Sequence, residues 1–132
     1  MKRKLIVKQR NQQTQEDIVL AESFIDIEEF EKTIRFDYHE NDVNSTKVHI
    51  EATTQELHVH RFGEAISRLV FIEGQITSGL IESEFGSFDV ELYTHRYISN
   101  QENIVVEYDV MNGEEVTDTY RIYWKIRRMT HE

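Results

Sequence analysis

The sequence predicts an all-β protein, a single antiparallel up-and-down β-barrel of about 8–10 strands. Apolar and polar residues alternate along most of the chain, as a sheet with one buried and one solvated face requires. Gly, Asn and Ser interrupt the alternation about every ten residues, the spacing of short strands joined by turns. The chain contains no Pro, so nothing in it forbids continuous hydrogen-bonded ladders.

The alternation assigns an inward-facing set of side chains to each predicted strand. In chain order these sets are Phe30, Ile34, Phe36 and Tyr38; Val48, Ile50 and Ala52; Leu57 and Val59; Phe88, Val90 and Leu92; Val106, Tyr108 and Val110; and Tyr120, Ile122, Trp124 and Ile126. The intervening residues are mostly charged or polar, which places them on the solvated face.

Two segments fit the alternation less well. Residues 17–30 are compatible with a strand or with an amphipathic helix, because Leu20, Phe24 and Ile27 are spaced three and four apart. The strand is the favoured prediction. Residues 69–72 are apolar on both faces, which predicts a bulge, a barrel corner or an end covered by another segment.

The connections have the composition of hairpin turns. Asn112-Gly113 lies between two predicted strands, and Asn-Gly favours a type I′ turn because both central residues need positive φ. Residues 40–45, 85–87 and 99–101 are also predicted turns. Consecutive hairpins favour an up-and-down barrel, whose closure removes exposed strand edges. Residues 1–132 are therefore predicted to form a single domain.

Composition limits the classes of protein to which the chain can belong. A length of 132 residues suits one hydrophobic core, and the absence of Cys excludes disulfides, cysteine-ligated metals and a cysteine nucleophile. The basic start of the chain is followed by only three apolar residues, too few for a secretory signal, and no run approaches the ~20 apolar residues of a membrane helix. We expect a cytoplasmic protein with no membrane partner.

Charge is distributed unevenly along the chain. The net charge is −10, yet residues 1–10 and 121–132 together carry nine basic side chains and one acidic side chain. If the first and last strands pair in a closed barrel, these basic residues form a stripe that can hold nucleic acid or an acidic protein. The alternative is that the stripe complements the acidic remainder of the barrel. The overall acidity and the lack of an exposed aromatic series among the basic residues disfavour nucleic acid as a partner.

One motif goes beyond periodicity. Phe71-x-x-Gly74-x-x-Thr77-x-Gly79 is followed by Ser83-Glu84-Phe85-Gly86-x-Phe88. This segment resembles the YwiB-like family, small bacterial proteins with a calycin-type, lipocalin-like β-barrel. The resemblance implies that fold and no activity, while fold analogy to lipocalins suggests a ligand cavity.

The predicted inner face supplies candidate ligand-binding residues. Tyr108, Tyr120 and Trp124 share this face, where their rings can line a pocket or simply fill the core. Arg68 shares its parity with Ile66, Val70 and Ile72, and an inward arginine needs a carboxylate, a bound anion or water. The alternative is a bulge near residues 69–72 that turns Arg68 outward.

Motifs for catalysis and metal binding are weak. His58-x-His60 places two imidazoles on one strand face, but no further ligand frame accompanies them, so solvent-facing histidines are predicted. Three acidic pairs, Asp89/Glu91, Glu107/Asp109 and Glu82/Glu84, fall at predicted solvent positions. No nucleophile elbow or phosphate-binding glycine loop is present. The sequence therefore predicts no catalytic residue, metal or cofactor, and does not support an enzyme.

The leading hypothesis from sequence is a non-enzymatic protein that binds a small, partly apolar or anionic ligand in the barrel interior, through Arg68, Tyr108, Tyr120 and Trp124. The alternative is a nucleic-acid or protein interaction module that uses the basic first and last strands. A homodimer is left open.

Overall fold

A computed structural model describes residues 2–128. These residues form eleven β-strands: β1 (Lys2–Asn11), β2 (Glu16–Asp26), β3 (Glu28–Phe30), β4 (Thr33–His39), β5 (Lys47–Ala52), β6 (Glu56–Phe62), β7 (Ile66–Ile72), β8 (Ile76–Ser83), β9 (Gly86–Ser99), β10 (Asn103–Asn112) and β11 (Glu115–Arg128). Across this range no helix is both long and apolar enough to span a membrane.

The strands form one antiparallel sheet in the order β2-β1-β11-β10-β9-β8-β7-β6-β5-β4-β3. The strands β2 and β3 are one extended run interrupted only at Ile27, and they pair with β1 on one side and with β4 on the other. The amide of Asn41 donates to the carbonyl of Leu20 at 2.8 Å, which links the two sheet edges. The predicted up-and-down barrel is therefore confirmed as a nearly closed one. Its count of eleven strands includes the short strand β3.

The inner face of the barrel is a continuous apolar core. Twenty hydrophobic residues are buried there, each at most 7% exposed, and they come from every strand except β3 and β8. Trp124 and Phe71 are the largest of the fully buried side chains. The alternation in β4, β5 and β6 predicted its share of this core correctly, because Ile34, Ile50 and Val59 and their same-face neighbours are all buried.

Two residues predicted to face the core are exposed instead. Phe30 is 73% exposed because it is the last residue of β3, directly before the Glu31-Lys32 turn. Phe88 is 54% exposed because it lies two residues from the start of β9, near the turn of the β8–β9 hairpin. Alternation predicts which face of the sheet a side chain is on. Burial also requires strands on the opposite side of the barrel to cover that position, and positions beside a turn lack this cover.

Residues 69–72, apolar on both faces, lie where the sheet bends. Register between β7 and β8 runs from Ile66 to Arg68 only, after which the two strands part. Leu69 lies over Gly79, whose added Cβ would be 2.6 Å from the Leu69 Cδ2 atom. A barrel corner, one of the three predicted explanations, is what the structure shows.

The predicted hairpin after β10 exists, but its turn is one residue further along. Asn112 still pairs with Glu115, so Gly113 and Glu114 are the central residues. Gly113 has a φ of 65°, and Gly at the first central position is typical of a type II′ turn. A register shift between Val110 and Met111 moves the turn past the Asn-Gly centre that the sequence predicted.

Candidate functional site

Arg68 does not face the barrel interior. Leu69 and Phe71 are the inward residues of β7, opposite Val59 and Leu57, so Arg68 lies on the outer face and is exposed. Of the two orientations that the sequence left open, the outward one is observed. The inward alternative aligned the parity of the strand on Val70 rather than on Leu69. The register between β6 and β7 is regular, so no bulge is needed to turn Arg68 outward.

The other three predicted ligand residues lie on the inner face. Trp124 is 1% and Tyr108 is 6% exposed, while Tyr120 is half-buried. The rings of Tyr108 and Tyr120 lie 5.8 Å apart, and Tyr108 also packs on Phe71 at 4.7 Å. Burial raises the pKa of the Tyr108 phenol well above its usual value, and Tyr120 adds to the effect. These contacts are those of packed core residues.

The arginine at the inner end of the barrel is Arg61, which continues the parity of Leu57 and Val59. Its guanidinium pairs with the carboxylate of Glu40, a residue only 7% exposed. Beside this pair, Tyr38 accepts a hydrogen bond from the Trp124 indole at 2.8 Å, and burial raises the pKa of its phenol. The parity that placed Val59 inward would also have identified Arg61.

A cavity of about 290 Å³ opens beside Arg61 at this end of the barrel. Ile81 and Ser67 form part of its wall, and the carboxylates of Asp42 and Glu64 also line it. The Nε atom of Arg61 is buried and finds no hydrogen-bond partner among residues 2–128. The two carboxylates make this cavity unfavourable for an anion.

The histidines of β5 and β6 face outward. His49 contacts the carboxylates of Asp37 at 2.5 Å and Glu51 at 3.4 Å, and the opposite residue on β6 is His60. Partial burial lowers the pKa of His49, but these hydrogen bonds outweigh it and the net shift is upward. In the part of the chain that the structure describes, no group of three or more His, Asp or Glu side chains is arranged to hold a metal ion.

One carboxylate predicted to be solvated is buried. Asp109 is only 7% exposed. Its carboxylate accepts a hydrogen bond from the Thr119 hydroxyl at 2.8 Å and lies 2.7 Å from His95 Nε2. His95 is an additional residue in β9, created by a register shift against β10, and it covers Asp109 from outside. Alternation alone does not predict this contact, since a bulge changes which side chains are neighbours.

A larger feature is a groove on the outer face of β1 and β11, with a volume of about 390 Å³. Five cationic side chains line it: Lys8, Arg10, Arg121, Lys125 and Arg127. The remaining lining residues are Ile6, Gln9, Tyr123 and a single carboxylate, Asp17. We call this feature the basic groove. It forms because β1 and β11, the two basic ends of the chain, pair from Arg3 opposite Arg128 to Asn11 opposite Tyr120.

The register across the basic groove sets like charges against each other. Lys4 is directly opposite Arg127, and Arg10 is directly opposite Arg121. Like charges in directly opposite positions destabilise a sheet by up to about 1 kcal/mol per pair. The arrangement is therefore unfavourable for the stability of the isolated fold.

Carboxylates at the margin of the groove neutralise only part of this charge. Arg10 pairs with Asp17 at 3.2 Å, and Arg121 pairs with Glu107 at 2.7 Å. On the β2 side, Glu22 pairs with Lys4 at 3.3 Å. Between residues 2 and 128, no carboxylate forms an ion pair with the remaining groove cations, which are Lys8, Lys125 and Arg127.

Residues 4–123 match the family described as Domain of unknown function (DUF1934). The chain belongs to the DUF1934 family. Among solved structures it is similar to the ywiB protein from Bacillus subtilis, with 17% sequence identity, a TM-score of 0.78, and 98% of this chain and 92% of that chain covered. This likeness shows the fold, and the predicted resemblance to the YwiB-like family is confirmed. No curated protein matched the sequence.

The groove of this DUF1934 chain includes one aromatic residue that the sequence did not single out. Tyr123 lies on the outer face between Arg121 and Lys125, opposite Lys8 on β1. Its hydroxyl donates to the side-chain oxygen of Asn103 on β10. Strand parity would have found it, because Tyr123 is two residues from each of two predicted outward cations.

Proposed function

We propose that this protein binds the phosphate backbone of nucleic acid along the basic groove. The observation that carries the proposal is the pair of like-charge oppositions, Lys4 with Arg127 and Arg10 with Arg121. A carboxylate at one member of either pair would convert repulsion into attraction and stabilise the sheet. Ion pairs of Lys4, Arg10 and Arg121 with neighbouring carboxylates offset part of this repulsion. The three groove cations without a carboxylate partner among residues 2–128 still concentrate positive charge on one face, which favours an anionic ligand.

The acidity of the whole chain does not oppose this proposal. At physiological salt the Debye length is about 8 Å, so acidic side chains on the far side of the barrel are screened from a ligand in the groove. The local field is set by the five cations and one carboxylate that line the groove, together with Glu22 and Glu107 at its margin, and its net sign is positive. The expectation from sequence against nucleic acid rested on the total charge of −10 and on the lack of an exposed aromatic series among the basic residues, whereas the groove includes Tyr123.

The experiment is to reverse the charge of Arg127, which has no ion-pair partner in residues 2–128 and faces Lys4. We expect Arg127→Glu to raise the Kd for a labelled oligouridylate of about 12 nucleotides at least tenfold, about 1.4 kcal/mol. The association constant should also depend less on salt. The negative slope of its logarithm against log salt concentration should become shallower by ~0.7, because one phosphate contact is lost. The melting temperature should stay the same or rise, since a carboxylate would then face Lys4.

The matched control is Lys47→Glu, which changes the net charge equally on β5, where Lys47 is exposed and distant in sheet order from β1 and β11. It should leave the Kd within about twofold. Equal weakening by both variants, or no binding by the wild type, contradicts the proposal. Binding of poly-glutamate as strong as that of the oligouridylate would instead indicate an acidic protein as the partner.

A ligand inside the barrel stays a prediction. The unpartnered Nε atom of Arg61 beside the 290 Å³ cavity favours a ligand at the barrel end. The burial of Trp124 and Tyr108 argues for a filled interior. Because Asp42 and Glu64 line this cavity, a ligand bound there should be small and either neutral or cationic.

A further inference from the structure

We infer that the basic groove takes a single strand whose bases stack on Tyr123 and Phe24. This inference rests on the proposed function and specifies the class of nucleic acid. It follows from two aromatic side chains that share the outer face of the sheet with the groove cations.

Tyr123 is the partly exposed aromatic side chain that lines the groove. It lines the groove with Lys8 opposite on β1 and with Arg121 and Lys125 on either side along β11. The hydrogen bond from its hydroxyl to Asn103 holds the far edge of the ring against β10. A ring fixed in this way loses little further conformational entropy when a base stacks on it.

Phe24 supplies the second ring. It lies on β2 directly opposite Lys4, the β1 cation that faces Arg127, so both side chains project from the outer face. Phe24 is 59% exposed and contributes little to the core. A large exposed aromatic residue beside cations is the combination that single-strand binders use, with phosphates on the cations and bases on the rings.

The spacing of the two rings suits a strand that crosses the groove diagonally. In ideal sheet geometry, four residues along a strand and two strands across place them about 13 Å apart along the strands and about 10 Å apart across them. A single strand spans this separation with several nucleotides between the stacked bases. A duplex cannot use the rings, because its bases are already stacked inside the helix.

The test compares the same protein with three probes: the single-stranded oligouridylate, a duplex RNA of equal length, and inorganic polyphosphate. We expect Tyr123→Ala and Phe24→Ala each to weaken oligouridylate binding about fivefold to a hundredfold and to leave polyphosphate binding within about twofold. Tyr123→Phe keeps the ring but loses the hydrogen bond to Asn103, so it should bind more weakly than the wild type and more tightly than Tyr123→Ala. Thermal unfolding of each variant shows whether the fold is intact.

The outcomes separate this inference from the proposed function. If the wild type binds polyphosphate and duplex as well as the single strand, and Tyr123→Ala changes nothing, stacking is refuted while phosphate binding in the groove stands. If the wild type binds none of the three probes, both fail. If Tyr123→Ala weakens all three probes equally, the ring has only a structural role and the inference is overturned.

Discussion

At the scale of single residues, the pair formed by Arg61 and Glu40 is the most consequential contact that sequence analysis did not predict. Glu40 is nearly fully buried, and Arg61 is the described cation that pairs with it. A buried carboxylate that loses its partner must be desolvated without compensation, which is costly. The pair therefore stabilises one end of the barrel mainly by avoiding an unpaired charge.

We expect Arg61→Met to lower the free energy of unfolding by about 2 kcal/mol, less than the ~3–5 kcal/mol of a fully buried pair because the Arg61 side chain is 43% exposed. The double variant Glu40→Gln/Arg61→Met should lose less than the sum of the two single losses. Urea denaturation of the four proteins measures this coupling. Additive losses would show that the two side chains do not interact.

At the scale of elements, the corner between β7 and β8 depends on a close approach that only glycine allows. A Cβ atom on Gly79 would lie 2.6 Å from Leu69 Cδ2 and 3.0 Å from the carbonyl oxygen of Arg68. The first contact can be relieved by moving a side chain, whereas the second involves backbone. The apolar pattern of residues 69–72 predicted a bulge, a corner or a covered end, but the glycine against which this segment packs is visible only in the structure.

We expect Gly79→Ala to destabilise the protein by about 1–3 kcal/mol through overpacking. In a Leu69→Ala background, Gly79→Ala should cost less stability than it does in the wild type. The side-chain contact is then relieved, while the contact with the Arg68 carbonyl oxygen remains. Ser78→Ala, at the exposed neighbouring position on β8, is the control and should stay within ~0.5 kcal/mol of the wild type. Chemical denaturation compares the four proteins, and a Gly79→Ala variant as stable as the control would show that the backbone adjusts freely.

At the scale of the whole molecule, the barrel separates two kinds of surface. The inner face is filled by twenty buried hydrophobic residues, and the outer face of the paired terminal strands concentrates positive charge. A small barrel is ordinarily filled by its own side chains, and the aromatic residues of this chain serve that purpose. The outer groove, rather than the interior, is therefore the better candidate site.

We expect native mass spectrometry of protein purified from its own cells to give the chain mass of 15.8 kDa without a small-molecule adduct, because the inner face is packed. Denaturing mass spectrometry of the same sample provides the reference mass. A retained adduct that disappears in Arg61→Met would contradict this expectation and support a ligand at the barrel end.

The sequence by itself determined the strand-rich class, the inward residues of β4 to β6, the existence of the hairpins and the uneven distribution of charge. These properties are local, because side-chain alternation and turn chemistry are set within a few residues. Only the tertiary structure decided that His95 covers Asp109, and that Lys4 and Arg10 stand opposite Arg127 and Arg121. These depend on bulges and on the pairing of strands more than 100 residues apart in the sequence, whose register local periodicity does not determine.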